Sequence, residues 1–295
     1  MDVLMKVKRW MDRHTYHLLM LPGLALMGVL IFIPVFYALQ MSVFEYSVGS
    51  LQAPRFIGLE NYVRLLSSDR FLLSIVRTLY YTVLSLVWPI VIGTVAALIF
   101  HQSFRGRGLM RTLFLVPYMA TPAAAALIWV LMFHPELGVI NYLLRVVGLP
   151  TPLWIFSRQT VIPSLSLVEG WRSAPFFMII VLGGLSAIPA DVFEAAKVDG
   201  ASPIQTFVHI ILPLIRPHMI IATVLNGILL LKAIDLIYVM TQGGPGRASE
   251  TINILLYLEA FSFYHIGYAS AIAVVFSIII VVTTGILLRY RRGES

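Results

Sequence analysis

Ionisable side chains set three residues apart inside long apolar runs are the first features of this sequence that could do chemistry. Glu169 and Arg172 lie within the stretch Ile162–Leu185, and Lys232 and Asp235 lie near the end of Leu212–Ile237. Residues three apart share a helix face, so each pair can neutralise itself. A charge inside a membrane span is costly and faces the bundle interior or a wet cavity. The spacing therefore fits two self-neutralising intrahelical pairs, or a polar lining for a solute path. Asn226, one face away, strengthens the second reading. Trp171, Phe176 and Trp129 offer aromatic faces suited to the apolar sides of sugar rings, although Trp129 suits core or lipid packing equally well.

Signatures of catalysis are missing. No G-x-x-x-x-G-K-[ST] phosphate loop occurs, and Gly106-Arg-Gly108 lacks the third glycine of a dinucleotide turn. There is no H-E-x-x-H and no Gly-x-Ser-x-Gly elbow. The seven histidines are scattered, and His14 and His17 sit in a basic segment as solvated polar residues. With no cysteine, disulfides and Cys-based metal or redox chemistry are excluded. The expectation is a chain with no catalytic residues, no metal site and no bound cofactor.

The elements that must position these groups are membrane helices. The 295 residues are 59% hydrophobic and only 12% charged, with a mean hydropathy of +0.89, whereas soluble domains carry about 25% charge. Runs longer than about 18 apolar residues mark an all-α integral membrane protein. Six spans are expected, at Leu18–Met41, Thr78–Phe100, Leu109–Phe133, Ile162–Leu185, Leu212–Ile237 and Ile266–Leu288. Basic residues precede the first run, which is too long for a signal peptide and has no small-residue cleavage site after it, so it reads as a retained span. Residues 1–17, basic around Trp10, suit a membrane-surface helix. Ser67-Ser68-Asp69-Arg70 reads as a turn. Prolines within the runs are tolerable where neighbouring helices re-satisfy the freed carbonyls. Small residues at Ala123–Ala126 and Gly183-Gly184 suit close helix packing.

Six spans put both termini on one side. Segments 1–17, 101–111, 186–216 and 289–295 carry twelve Lys or Arg, against six in the longer opposite loops. The positive-inside rule then places both termini and residues 186–216 of this multi-pass protein in the cytoplasm. This distribution also explains the net charge of +7 without nucleic acid. The chain reads as a basic segment 1–17, a six-span domain 18–288 and a tail 289–295. No repeat relates the first three spans to the last three, which weakens an inverted-repeat secondary transporter.

One cytoplasmic stretch is unusually well punctuated. Pro189 can open a helix, and Gly200 can close it in a left-handed turn. Ser202, Pro203 and Gln205 then form a Ser-x-x-Gln capping box for the next helix. The first helix, Ala190–Val198, would be about 14 Å long, too short to span a bilayer. It must lie on a surface.

This stretch resembles the EAA loop of permease subunits in bacterial ABC importers. Glu194-Ala195-Ala196, Gly200, Ile210 and Leu212-Pro213 match its pattern at every position. The wider set Ile188-Pro189, Asp199-Gly200-Ala201 and Pro217 looks like the carbohydrate and glycerol-phosphate importers. Thr241-Gln-Gly-Gly-Pro245 and Gly267-Tyr-Ala-Ser-Ala271 look like the first of their two permeases, the one similar to the maltose system's.

The resemblance, which covers residues 18–290, implies a type I ABC importer permease fold with a coupling helix within residues 186–213. Glu194, Ala195, Ala196, Asp199, Gly200, Ile210, Leu212 and Pro213 would couple to a cytoplasmic ATPase. The implied partners are a second, different permease, two ATPase subunits that bind ATP and Mg, an extracytoplasmic binding protein and the lipid bilayer. Maltose-type lining positions fall on Glu169, Ser173, Phe176, Asn226, Leu229, Leu230 and Ala233, joined by the charged Arg172, Lys232 and Asp235. Leu229, Leu230 and Ala233 replace polar positions and Glu169 adds a charge, which points away from maltose itself. An anionic solute would fit Lys232 and Arg172 if Asp235 and Glu169 left them free. The competing reading is a secondary transporter that uses Glu169 or Asp235 as a proton or cation site.

Overall fold

A computed structural model describes the backbone of residues 2–49 and 53–292, and the side chains of residues 19–49 and 53–286. The chain opens with α1 (Asp2–Met41), the short strands β1 (Phe44–Glu45) and β2 (Arg55–Phe56), and α2 (Glu60–Leu66). There follow α3 (Asp69–His101), α4 (Arg107–Met119), α5 (Pro122–Met132), α6 (Val139–Val146) and α7 (Val161–Ser186). Next come α8 (Ala190–Val198), α9 (Pro203–Thr206), α10 (Leu212–Leu231), α11 (Asp235–Thr241), α12 (Ile252–Tyr257) and α13 (Ile266–Arg292). Among the described residues, five helices are long and apolar enough to cross a membrane, and a sixth span is made if the bent pair α4–α5 counts as one.

Two compact units divide the chain, Met1–Ser67 with Glu259–Val275, and Ser68–Leu258 with Phe276–Ser295. In the first, α1 runs without a break from Asp2 into the expected span. The backbone of the basic stretch is thus the span's own extension rather than a separate surface helix, and its side chains lie outside the described residues. The last three residues of the expected 289–295 tail also lie outside them. Strands β1 and β2 pair antiparallel, Phe44 opposite Phe56 and Glu45 opposite Arg55. Arg55 Nη2 meets Glu45 Oε2 at 2.7 Å. Buried Asn61 ties α2 to this hairpin, its Nδ2 donating to Ser42 O at 2.9 Å and Phe44 O at 3.0 Å.

The second unit is built on α3 against α7. Ser68, whose side chain accepts from Phe71 N, caps α3, so the helix begins where a turn was expected. Close approach depends on glycine. A Cβ on Gly93 would lie 2.9 Å from Ala174 O and Phe177 Cβ, and one on Gly170 would collide with the Trp88 side chain. Small residues at such contacts let helix backbones come together where no hydrophobic drive separates protein from lipid. Apolar residues of α3, α7 and α10, among them Ala97, Phe177, Val181, Leu185 and Ile215, form a core toward the α8 end. A second core toward the other end gathers Tyr81, Phe133, Leu165, Leu230 and Ile237.

Two expected spans are corrected. Leu109–Phe133 is not one straight helix: α4 and α5 meet at 96°. Ala120 turns extended, Thr121 accepts from Ala124 N, and Pro122 takes the first position of α5. Proline cannot donate to the preceding turn and pushes the residue before it out of helical conformation. The span read as Leu212–Ile237 begins earlier and ends sooner. Helix runs continuously over Pro203–Leu231, passing through a π-helical turn, Phe207–Ile211, just ahead of Pro213. It stops at Leu231, and α11 starts at Asp235. Asn253 holds this break open, its Nδ2 donating to Leu231 O at 2.9 Å and Ala233 O at 3.3 Å.

Candidate functional site

At the C-terminal end of α7 the chain turns into α8, the nine-residue helix Ala190–Val198 expected from the sequence. Pro189 stands one residue before it, as the N-cap rather than the first helical position. Ala196 is 3% exposed and the Phe193 ring lies 5.8 Å from that of His101 at the end of α3. Burial on this side fixes the helix to the membrane domain. The other face is open: Asp191, Glu194, Ala195 and Val198 are exposed, as are Lys197 and Asp199.

The turn after α8 is closed by its own backbone. Gly200 adopts φ +73°, Gly200 N donates to Lys197 O at 3.1 Å, and Ala201 N donates to Ala196 O at 3.0 Å. This pair of bonds defines the Schellman stop, which favours a residue without Cβ at the left-handed position. Ser202 and Gln205 then complete the capping box, with Ser202 N donating to Gln205 Oε1 at 2.8 Å and Gln205 N to Ser202 Oγ at 3.3 Å. Ile210 and Leu212 are half-buried in the helix that follows, and Pro213 is exposed. The result is a short helix buried on one side, with charged and small apolar side chains on its free face.

Within the bundle, one of the two expected charge pairs forms. Arg172 Nη2 donates to Glu169 Oε1 at 2.6 Å, and Nε donates to Oε2 at 3.3 Å. Ser173 spends its hydroxyl on Glu169 O at 2.8 Å, a bond back within α7. Phe176, one turn beyond Arg172, stacks on Tyr118 of α4 with centroids 5.6 Å apart and planes at 20°. Asn226 of α10 is 3% exposed, and its Nδ2 finds no hydrogen-bond partner among the described residues. Trp129 and Trp171 pack edge to face at 5.5 Å.

The second pair does not form. Lys232 lies in the break after α10 and Asp235 opens α11, so they share no helix face, and both are exposed. Leu230 is buried in the core, Leu229 is exposed, and Ala233 lies in the break. Of the expected lining, α7 thus brings together Glu169, Arg172, Ser173 and Phe176, while the positions from Leu229 onward scatter. No group of three or more His, Asp or Glu among the described residues is arranged to hold a metal.

Tyr118 was not singled out from the sequence. A partial signal was present: it lies between Pro117 and Pro122, where a helix should bend and present a side chain. Asn253 carried no such signal, because what it satisfies are carbonyls of a distant helix end.

Comparison with known proteins gives a consistent result. A family described as "Binding-protein-dependent transport system inner membrane component" matches residues 89–292. The trehalose/maltose transport system permease protein MalF of Thermococcus litoralis is 33% identical over 94% of this chain and 93% of that protein. The sulfoquinovosyl glycerol transport system permease protein SmoG of Agrobacterium fabrum is 32% identical over 97% and 94%, respectively. Among solved structures, a chain of a bacterial alginate ABC transporter, in complex with an alginate pentasaccharide-bound periplasmic protein, superposes with a TM-score of 0.80. It is 21% identical, covering 95% of this chain and 94% of that one.

Proposed function

Because this chain belongs to the binding-protein-dependent transport system inner membrane component family, we propose that it forms half of the pathway through an ATP-driven importer and that α8 docks on a cytoplasmic ATPase. The observation that carries this reading is the geometry of α8. Ala196 is buried and Phe193 packs on His101 of α3, the other face is presented outward, and a glycine turn and capping box separate α8 from the long helix Pro203–Leu231. A lever of this kind moves the spans when the surface beneath it moves. Glu194, Ala195, Ala196, Asp199 and Gly200 form the docking helix and its stop, while Ile210, Leu212 and Pro213 join it to the membrane. ATP and Mg belong to the partner, since this sequence carries no phosphate loop.

The complete transporter in this reading holds a second, different permease, two ATPase subunits and an extracytoplasmic binding protein. Both termini and α8 face the cytoplasm, as the loop charges require. The solute is a sugar or related polar molecule. Support comes from the stacked Tyr118 and Phe176 rings and the adjacent hydrogen-bonding Arg172 edge, which suit the two faces of a hydroxylated ring, and from the names of the relatives above. Glu169 serves as the partner of Arg172 rather than as a proton site.

The test is solute-stimulated ATP hydrolysis by the assembled complex in vesicles. Glu194→Lys or Gly200→Pro abolishes stimulation while the binding protein still takes up its solute; unchanged stimulation would overturn the docking role. Phe176→Ala or Asn226→Ala slows uptake with assembly intact, and wild-type uptake by both removes them from the pathway.

A further inference from the structure

At the end of α7 remote from α8, the eight-residue helix α6 is built inside out for a helix in water. Val139, Tyr142, Leu143 and Val146 follow the i, i+3, i+4, i+7 spacing of a single face, and all four are exposed, by 48% to 67%. Leu137, Val147 and Leu149, just beyond the helix ends, are exposed as well. The opposite side carries the polar anchor. Asn141 is 1% exposed; its Nδ2 donates to Pro135 O at 3.0 Å and Pro152 O at 3.2 Å, and its Oδ1 accepts from Trp154 Nε1 at 2.7 Å. Trp154 in turn stacks on fully buried Phe133 with centroids 4.6 Å apart. The apolar face therefore cannot roll inward without breaking a satisfied buried amide, which makes its outward orientation a fixed feature.

We infer that α6 is an interfacial helix whose apolar stripe Val139, Tyr142, Leu143 and Val146 is immersed in the lipid of the leaflet opposite α8. Three observations favour lipid over other occupants. First, the stripe follows apolar span surface closely in the chain: Leu127, Ile128 and Leu131 of α5 are exposed, α5 is half of a bent membrane span, and only residues 133–138 separate it from α6. Second, the edge of the helix carries interface chemistry. Tyr142 has an apolar body and a polar tip. Arg145, whose Nη2 donates to Glu136 O at 2.9 Å, lies at the edge of the stripe and has an apolar stem that can lie along lipid while its charged head stays in water. Third, a soluble partner that docks and leaves would return this contiguous apolar stripe to water at each cycle, a state that surfaces in water avoid. Lipid covers it at all times. The role that follows is mechanical: α6 anchors the outer end of the bent α4–α5 span at a fixed depth.

The chain has no cysteine, so introduced ones report this chain by position. The full-length protein, alone and in the assembled complex, is reconstituted in vesicles of phosphatidylethanolamine and phosphatidylglycerol with a nitroxide at Val139→Cys, Leu143→Cys or Val146→Cys. The expected result is that oxygen, which concentrates in lipid, relaxes each label more than a water-soluble nickel chelate does, in both preparations. Stronger relaxation by the chelate would show the stripe in water and overturn the inference. Loss of access to both reagents on assembly would show a protein partner on it and overturn the inference equally. Neither outcome bears on ATPase docking by α8, whose readout is hydrolysis.

Discussion

Arg172 grips Glu169 across one turn of α7 with two hydrogen bonds, Nη2 to Oε1 at 2.6 Å and Nε to Oε2 at 3.3 Å. The pair is lopsided: the carboxylate side chain is 4% exposed and the guanidinium side chain 19%. A buried acid inside a span is thus compensated from its own helix, while the cation forms the wetter edge. Paired in this way, the two side chains carry no net charge between them.

Removing one partner should cost far more than removing both. Arg172→Ala leaves Glu169 buried and uncompensated, a loss of about 3–5 kcal/mol in comparable sites, and should lower the thermal unfolding temperature of the detergent-solubilised complex. Glu169→Gln combined with Arg172→Met should recover most of that loss. If Arg172→Ala unfolds at the wild-type temperature, the pair does not carry the burial cost assigned to it.

Gly200 should be sensitive to backbone preference and indifferent to bulk. Nothing lies within 4 Å of a Cβ built there, and its φ is +73°. Left-handed backbone costs a residue with Cβ about 1–2 kcal/mol, less for Asn. Solute-stimulated hydrolysis should therefore fall in the order Gly, Asn, Ala, Val at this position. Equal activity of Gly200→Asn and Gly200→Val would show that the turn geometry is not what transmits motion.

Glycines of α7 should separate into packed and free. Gly170→Ala drives a methyl group into Trp88, whereas nothing lies within 4 Å of a Cβ on Gly183. Overpacking a tight contact costs about 1–3 kcal/mol, so Gly170→Ala should lower the unfolding temperature clearly, with Gly183→Ala at or slightly above wild type. Thermal unfolding of the two variants side by side decides it; equal values would mean that α3 and α7 can part without penalty.

Features legible before folding are local ones. The bounds of α8, the left-handed Gly200 and the Ser202–Gln205 box follow from residues within one turn of each other, because helix ends are satisfied or orphaned by their immediate neighbours. The long apolar runs announced their spans for a related reason: a helix in lipid must satisfy its own backbone, so composition over twenty residues is enough. The Glu169–Arg172 pair was legible because both residues lie on one unbroken helix, α7. Identical spacing failed for Lys232 and Asp235, since Asn253, some twenty residues further on, takes up the carbonyls of Leu231 and Ala233 and stabilises a break between them. The 96° bend of α4–α5, the Tyr118–Phe176 stack and the outward roll of α6 about Asn141 belong to the same class. Each depends on which distant group fills a hydrogen bond or a ring face, and only the packed chain supplies that group.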